Sequence, residues 1–325
     1  DKLLSVILDL KESGISTLFV SHKLSEVLQI AEKVTVLRDG KKVGDYNAGE
    51  LDYDSLSFYM SGKKIDHSVF NYQEGADQKT LLEVKDLSKK GQFEDISFKL
   101  RPGEIIGIIG SLGSGRTEIA LSLFGLNKPD SGSIYMNGEP VKINSPRKAI
   151  SLGLCYLPED RLNQGLFLKQ SIQNNVVVTN LKKLLTKSKL LNHSKKYEYA
   201  KTWIDELNVN VPSLEIAVQA LSGGNQQRVV IAKWLATNPK VFILDSPTVG
   251  IDVNSKSNIH NLIRQLAQKG IGVIMISDEV PEIVRNCNRI LVMADGRIVR
   301  EVNTVDITED KLFDLVSSNS KNSEG

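Results

Sequence analysis

The chain has 325 residues, 41% hydrophobic and 25% charged, with a formal net charge of +2. That length allows a large core and about two domains, and the near-neutral balance argues against a nucleic-acid binder driven by bulk charge. No apolar run approaches the roughly 20 residues of a membrane-crossing helix, so any membrane link would go through a partner; Cys155 and Cys287 show neither metal-ligand nor disulfide-framework spacing, which fits a reducing compartment.

In chain order, Thr17 to Val20 reads as a short buried strand ending at Ser21-His22, with Val34 to Gly40 following. The same pattern returns in Val273 to Ile276, Ser277-Asp278 and Ile290 to Gly296. Positions 22 and 278, like 40 and 296, lie 256 apart. Gly14 matches Gly270, Glu26 matches Glu282 and Asp39 matches Asp295 at that shift. A constant offset indicates a duplicated domain. Residues 1–64 are therefore expected to be the tail end of a first copy whose other motifs are missing, and the chain, which opens on Asp1, is read as a fragment. Residues 65–80 are polar and lack periodicity, as expected of a linker.

Short apolar strands then alternate with turns up to residue 156, among them Leu82 to Val84, Ile96 to Leu100 and Ser133 to Met136. Within this stretch an apolar strand, Glu104 to Ile109, and a helix-spaced run, Arg116 to Phe124, enclose Gly110-Ser111-Leu112-Gly113-Ser114-Gly115-Arg116-Thr117, followed by Glu118. The spacing is that of a phosphate-binding loop with arginine where lysine belongs. Gly110, Gly113 and Gly115 are expected at positive φ, turning successive N–H groups into an anion nest that ends on the positive pole of a helix. Thr117 is placed to offer its hydroxyl to Mg²⁺. Arg116 keeps the charge of lysine but replaces a compact ammonium with a wide planar fork.

Residues 160–220 read as helical, with Lys182, Lys183, Lys187, Lys189, Lys195 and Lys196 on a solvated face. Next comes Leu221-Ser222-Gly223-Gly224-Asn225-Gln226-Gln227-Arg228, opening an amphipathic helix. Ser222 is the expected N-cap, and the free N–H groups of the first turn make a second anion site. Val241 to Asp245 is a strongly apolar strand ending in a carboxylate, the position of a Mg²⁺-holding aspartate. Strand, helix and strand alternate to Ile298, which predicts a parallel sheet with its ligand crevice at the carboxyl ends of the strands, where Gly110, Asp245 and Ser277 fall. A short helix over Ile307 to Val316 precedes a polar tail at 319–325.

Taken together, the loop, Ser222 to Gln227 and Asp245 resemble the motifs of ATP-binding-cassette (ABC) ATPases. The nearest group is that of the ATPase subunits of ribose- and galactose-type sugar importers, which fuse two cassettes in one chain. Tyr156-Leu157-Pro158-Glu159-Asp160-Arg161 resembles this group's form of the segment that carries the Q-loop glutamine elsewhere, and Gly115 to Glu118 resembles its second-cassette loop. The resemblance covers about residues 82–318, and with the linker it gives a second cassette over 81–318. It implies an α/β P-loop NTPase fold with a RecA-like parallel sheet core, a small antiparallel β subdomain and a helical subdomain at about 160–220. It also implies ATP and Mg²⁺ as cofactors. Residues 110–118, Ser222, Gly223, Gly224 and Gln226 would face nucleotide, and Thr117, Asp245 and Glu159 the metal. The implied partners are the first cassette of the same full-length chain, transmembrane permease subunits seated near Glu159 to Ser171, and indirectly a periplasmic-type sugar-binding protein, with no nucleic acid. The location would be peripheral, on the cytoplasmic face of the membrane. His22 would be the switch histidine of the missing first site.

Three positions depart from the family pattern. Ser246 stands where a glutamate orients or deprotonates water, Asp278 replaces the switch histidine, and Arg116 replaces the loop lysine. Losing the base alone predicts a rate loss of about 10²- to 10⁴-fold, so this cassette is expected to bind ATP and hydrolyse it slowly. In ABC dimers the signature of one cassette closes over the loop of the other. The intact signature at Ser222 would then serve the first site. An ABC ATPase acting on ribosomes or DNA would carry basic arms or coiled-coil insertions, and neither is present; a non-catalytic ATP-responsive module is the other alternative. Lys90 occupies the place of the usual adenine-stacking aromatic, and Phe93 is expected in the core.

Overall fold

The computed structural model describes residues 2–21, 24–38, 40–62 and 79–320. By its contacts the chain divides into a smaller unit, within 1–67 and 251–258, and a larger one, within 68–250 and 259–325.

The smaller unit begins with α1 (Lys2–Glu12), α2 (Leu24–Ile30), β1 (Lys33–Arg38), β2 (Lys41–Asn47) and α3 (Tyr53–Ser61). Val34 and Val36, two apart on β1, point to the same side and pack with Leu24, Ala48 and Leu56. A capping box starts α3: the Asp52 carboxylate accepts from the Ser55 N–H at 2.7 Å, and the Ser55 hydroxyl accepts from the Asp52 N–H at 3.0 Å. The strand expected at Thr17 to Val20 does not form, and Leu18 and Val20 are 92% and 88% exposed. An apolar strand is buried only between neighbours, and among the described residues of this unit the sheet is the antiparallel pair β1–β2.

The larger unit runs β3 (Leu82–Lys89), β4 (Phe93–Leu100), β5 (Ile105–Gly110), α4 (Arg116–Leu123), β6 (Ser131–Met136), β7 (Glu139–Val141), α5 (Pro146–Leu152) and β8 (Leu154–Leu157). It continues with α6 (Ile172–Val177), α7 (His193–Glu206), α8 (Gly223–Leu235), β9 (Val241–Asp245), α9 (Val253–Gln268, of which the residues up to 258 group with the smaller unit), β10 (Gly272–Ile276), α10 (Val280–Asn286), β11 (Arg289–Ala294), β12 (Arg297–Asn303) and α11 (Glu309–Ser320). Four strands form an antiparallel sheet, β4-β3-β6-β7, and six form the main sheet, β12-β11-β5-β10-β9-β8. In the main sheet β11, β5, β10, β9 and β8 are mutually parallel, with β12 added antiparallel at the edge. Every residue of β5, β9 and β10 is buried, so these strands read as unbroken apolar runs without alternation. This is the α/β cassette core with its small antiparallel sheet, as the resemblance implied.

The 256-residue shift holds for three pairs of elements. α2 and α10 run 24–30 and 280–286, β1 and β11 run 33–38 and 289–294, and β2 and β12 run 41–47 and 297–303. Even the register slip recurs, at Val36/Leu37 and at Val292/Met293.

Residues 160–220 hold less regular helix than expected. Besides α6 and α7 there are a π-helical turn, Arg161–Gly165, and 3₁₀ turns at Val178–Leu184 and Val218–Ala220. Asn180, at φ −124°, interrupts the helical path. Lys196 is not on the solvated face. It lies in line with Ala200 and Ile204, four residues apart on the inward side of α7, and is 9% exposed, while the other five lysines are exposed. Among the described residues no helix is long and apolar enough to cross a membrane.

Candidate functional site

The carboxyl ends of the parallel strands gather the predicted residues. Asp245 is level with Ile276, and Ile276 with Ile108, two residues before Gly110 closes β5. Gly113 and Gly115 take φ of 81° and 93°, as the nest requires. Gly110 does not share that conformation, contrary to expectation. It is needed for room instead, since a Cβ there would lie 2.4 Å from the Met293 carbonyl oxygen and 2.6 Å from Ser114 Oγ. Ser111 accepts the Ser114 N–H at 3.1 Å and tightens the turn. Leu112 at its tip is 99% exposed. Gly115 is the N-cap of α4 and offers no side chain to it, so the first-turn N–H groups, including that of Glu118, face the concave side of the loop.

Asp245 is 1% exposed, and burial pushes its pKa up, opposed by the neighbouring hydroxyls of Thr117 and Tyr156. The Tyr156 hydroxyl donates to Oδ2 at 3.1 Å, while Oδ1 is buried without a hydrogen-bond partner. A desolvated carboxylate oxygen left over beside a threonine hydroxyl is a donor set suited to a hard cation. Thr117, Glu159 and Asp245 line one groove of about 430 Å³ together with Tyr156, Arg161, Val249 and Gly250. The residues present therefore fit Mg²⁺.

Arg116 bends across to the end of β10, where Nη1 donates to the Ser277 carbonyl at 2.9 Å. Burial lowers its pKa, and Asp278 leads the carboxylates that oppose this, ahead of Asp245, Glu159 and Glu118. Asp278 itself is exposed. Ser246 sits at φ +48°, its N–H donating to the Ile276 carbonyl at 2.9 Å. Behind them Glu282, fully interior, accepts from Thr248 at 2.7 Å and Ser277 at 2.5 Å and meets His260 Nε2 at 2.7 Å. Burial pushes the Glu282 pKa up, but these partners hold it below the ordinary carboxylate value. His22 lies outside the described residues, as does most of the linker.

Of the signature residues, Gly223 lies against Arg161 and Gly250 at one end of this groove. Ser222 occupies the N-cap position of α8, but its hydroxyl makes no capping bond. Gly223 and Gly224 open the helix, and Gln226 turns inward, 7% exposed, with its amide donating to the Val218 carbonyl at 3.4 Å. Phe93 is core, at 3% exposure, and the Lys90 N–H donates to Asp130 at 2.9 Å. Three residues quoted within motifs were given no contact of their own by the sequence reading: Tyr156 on Asp245, Gln227, whose amide donates to the Pro247 carbonyl at 2.7 Å, and Arg161. A signal existed for Tyr156, the one residue of Leu154–Leu157 with a hydroxyl to place.

The family model described as ABC transporter matches residues 93–249. The chain is 40% identical to the ribose import ATP-binding protein RbsA of Clostridium tetani over 313 residues, 96% of this chain and 62% of that protein. To RbsA of Bacillus subtilis it is 39% identical over 316 residues, 97% of this chain and 64% of the relative. It thus spans less than two thirds of the length of these relatives. Among solved structures, a nucleotide-free ATP-binding cassette from an ABC transporter superposes with a TM-score of 0.62 at 22% identity, over 73% of this chain and 95% of its own. CbiO1 of Clostridium perfringens, part of the ABC transporter complex cbiONQ, gives 0.59 at 24% identity, over 70% and 90%. These two likenesses speak to fold alone; residues 93–249 are identified as an ABC transporter domain by the family model, and the relatives share that descent.

Proposed function

We propose that the chain works as an ATP-binding part of an ABC importer for a ribose-type monosaccharide, seated on the cytoplasmic face of permease subunits that receive sugar from a periplasmic-type binding protein. The observation that carries the nucleotide reading is the orphaned Oδ1 of Asp245 beside Thr117, at the mouth of a glycine loop with two positive-φ residues. The sugar class is supported by the names of relatives about 40% identical over 96% of the chain.

In this reading the loop amides from Ser111 to Thr117 cradle the phosphates and α4 adds its positive end. Thr117, Asp245 and Glu159 would hold the cation, which would supply positive charge to the phosphates. Arg116 supplies positive charge from the side of β10. Ser246 offers no base to a water, and Asp278 puts negative charge where a γ phosphate would approach, so this site holds ATP and hydrolyses it slowly. Residues 1–64 are the tail of a first cassette, 65–80 a linker, 81–318 the second cassette with its helical part near 160–220, and 319–325 a tail; the 256-residue shift supports that division. Ser222, Gly223 and Gly224 would close over the first cassette's site, the one with His22. Ser246 and Asp278 also favour a second reading, a non-catalytic ATP-responsive module. Both readings predict that millimolar Mg-ATP raises the melting temperature of the purified chain. An unchanged melting temperature overturns them.

A further inference from the structure

The groove that holds Thr117, Glu159 and Asp245 runs on to Arg161, Val249 and Gly250. Arg161 opens the π-helical turn, which Asp160 fixes by accepting from the Asn163 N–H at 3.1 Å and its side-chain amide at 2.7 Å. From that anchored base the guanidinium reaches the loop after β9. Nη1 donates to the Val249 carbonyl at 2.6 Å and Nη2 to the Gly250 carbonyl at 3.1 Å. A planar fork on two successive carbonyls is geometry that lysine cannot reproduce.

Two glycines leave the space for it. A Cβ on Gly223, the first residue of α8, would lie 2.9 Å from Arg161 Nη2 and 3.0 Å from the Gly250 oxygen. Gly250 has φ of 66°, and a Cβ there would come within 3.4 Å of Nη1. The guanidinium therefore sits where the segment after β8, the loop after β9 and the start of the signature helix meet. Five residues earlier on the same segment, Tyr156 grips Asp245. One short stretch of chain thus holds the metal-side carboxylate at one end and lies against the first residue of the signature helix at the other.

We infer that Arg161 is a positioning residue: it locks the start of α8 to Val249 and Gly250 and passes changes at Asp245 and Glu159 on to the signature helix. This rests on the nucleotide reading of the groove, and its test separates the two. Hydrogen exchange is followed on the full chain as wild type, Arg161→Ala and Arg161→Lys, with and without Mg-ATP. Without nucleotide, Arg161→Ala speeds exchange at 246–250 and at 226–230 together, by roughly tenfold for each bond lost. Arg161→Lys, which can hold one carbonyl, falls between. With Mg-ATP, the wild type slows at 110–117 and at 226–230, whereas Arg161→Ala keeps the first response and loses the second. An arginine that only stiffened its own turn would leave the second response in place.

The inference is overturned if Arg161→Ala leaves nucleotide-free exchange unchanged at both segments, or speeds it only at 161–165. It is overturned equally if the response at 226–230 survives the substitution, or is absent from a wild type that responds at 110–117. If 110–117 does not respond in the wild type, the nucleotide reading falls, and the nucleotide-free comparison alone decides for or against the clamp.

Discussion

At Gly110 the absent side chain is a matter of room, and at Gly113 of backbone angle, so alanine should act differently at the two. The Gly110→Ala methyl would press on the backbone oxygen of Met293, which cannot swing aside; a loss of about 1–3 kcal/mol in unfolding free energy is expected. Nothing lies within 4 Å of a Cβ at Gly113, where only the left-handed φ of 81° is penalised, at a cost of about 1 kcal/mol. Urea titrations of both variants measure this, and equal losses would contradict it. Residues whose partners are near in sequence or fixed by motif spacing, such as Thr117 and Asp245, were legible in advance. Arg161 and Tyr156 were not, because their partners are main-chain carbonyls and a carboxylate 88 or 89 positions away, joined only by the sheet order. The bond from Arg116 to Ser277 spans 161 positions.

Among elements, α8 carries an unusual inward charge. Lys233 is 7% exposed, 4.9 Å from the Trp234 ring centre, and its Nζ donates to the Gly165 carbonyl at 2.6 Å, tying the signature helix to the π-helical turn. Burial depresses its pKa to about 8 from 10.5. The folded chain therefore releases this proton before the unfolded chain does, and the unfolded state binds more protons between those two values. Stability should then rise with pH across that window. From pH 7 to pH 9.5 the wild type should gain about 2 kcal/mol relative to Lys233→Met; urea unfolding at both values tests this, and a pH-independent difference would refute it. The apolar runs of β5, β9 and β10 declared themselves in the sequence because both faces are covered. The stretch 160–220 did not, since its turns are set by side chains such as Asp160 and Asn175, which accepts the Phe167 N–H at 2.8 Å, and not by periodicity.

At the scale of the molecule, the repeated elements were visible as a sequence shift, and the structure extends that shift to the bounds of each hairpin strand. Thr17 to Val20 shows where sequence pattern runs out, for a strand is defined by its neighbours as much as by its residues. In the proposed reading the weak site is completed only by a second cassette. In the full-length two-cassette protein with its permease, combining Arg116→Lys, Ser246→Glu and Asp278→His should raise ATP turnover toward the roughly 10²- to 10⁴-fold that a positioned base contributes. No gain there would leave the non-catalytic module as the better reading. The bend that carries Ser246 is tied down by its own N–H on Ile276 and by a left-handed angle equally demanding for serine or glutamate. The backbone at that corner therefore makes no choice between the two, and under the proposed reading a lineage could give up hydrolysis there without the loss registering as misfolding.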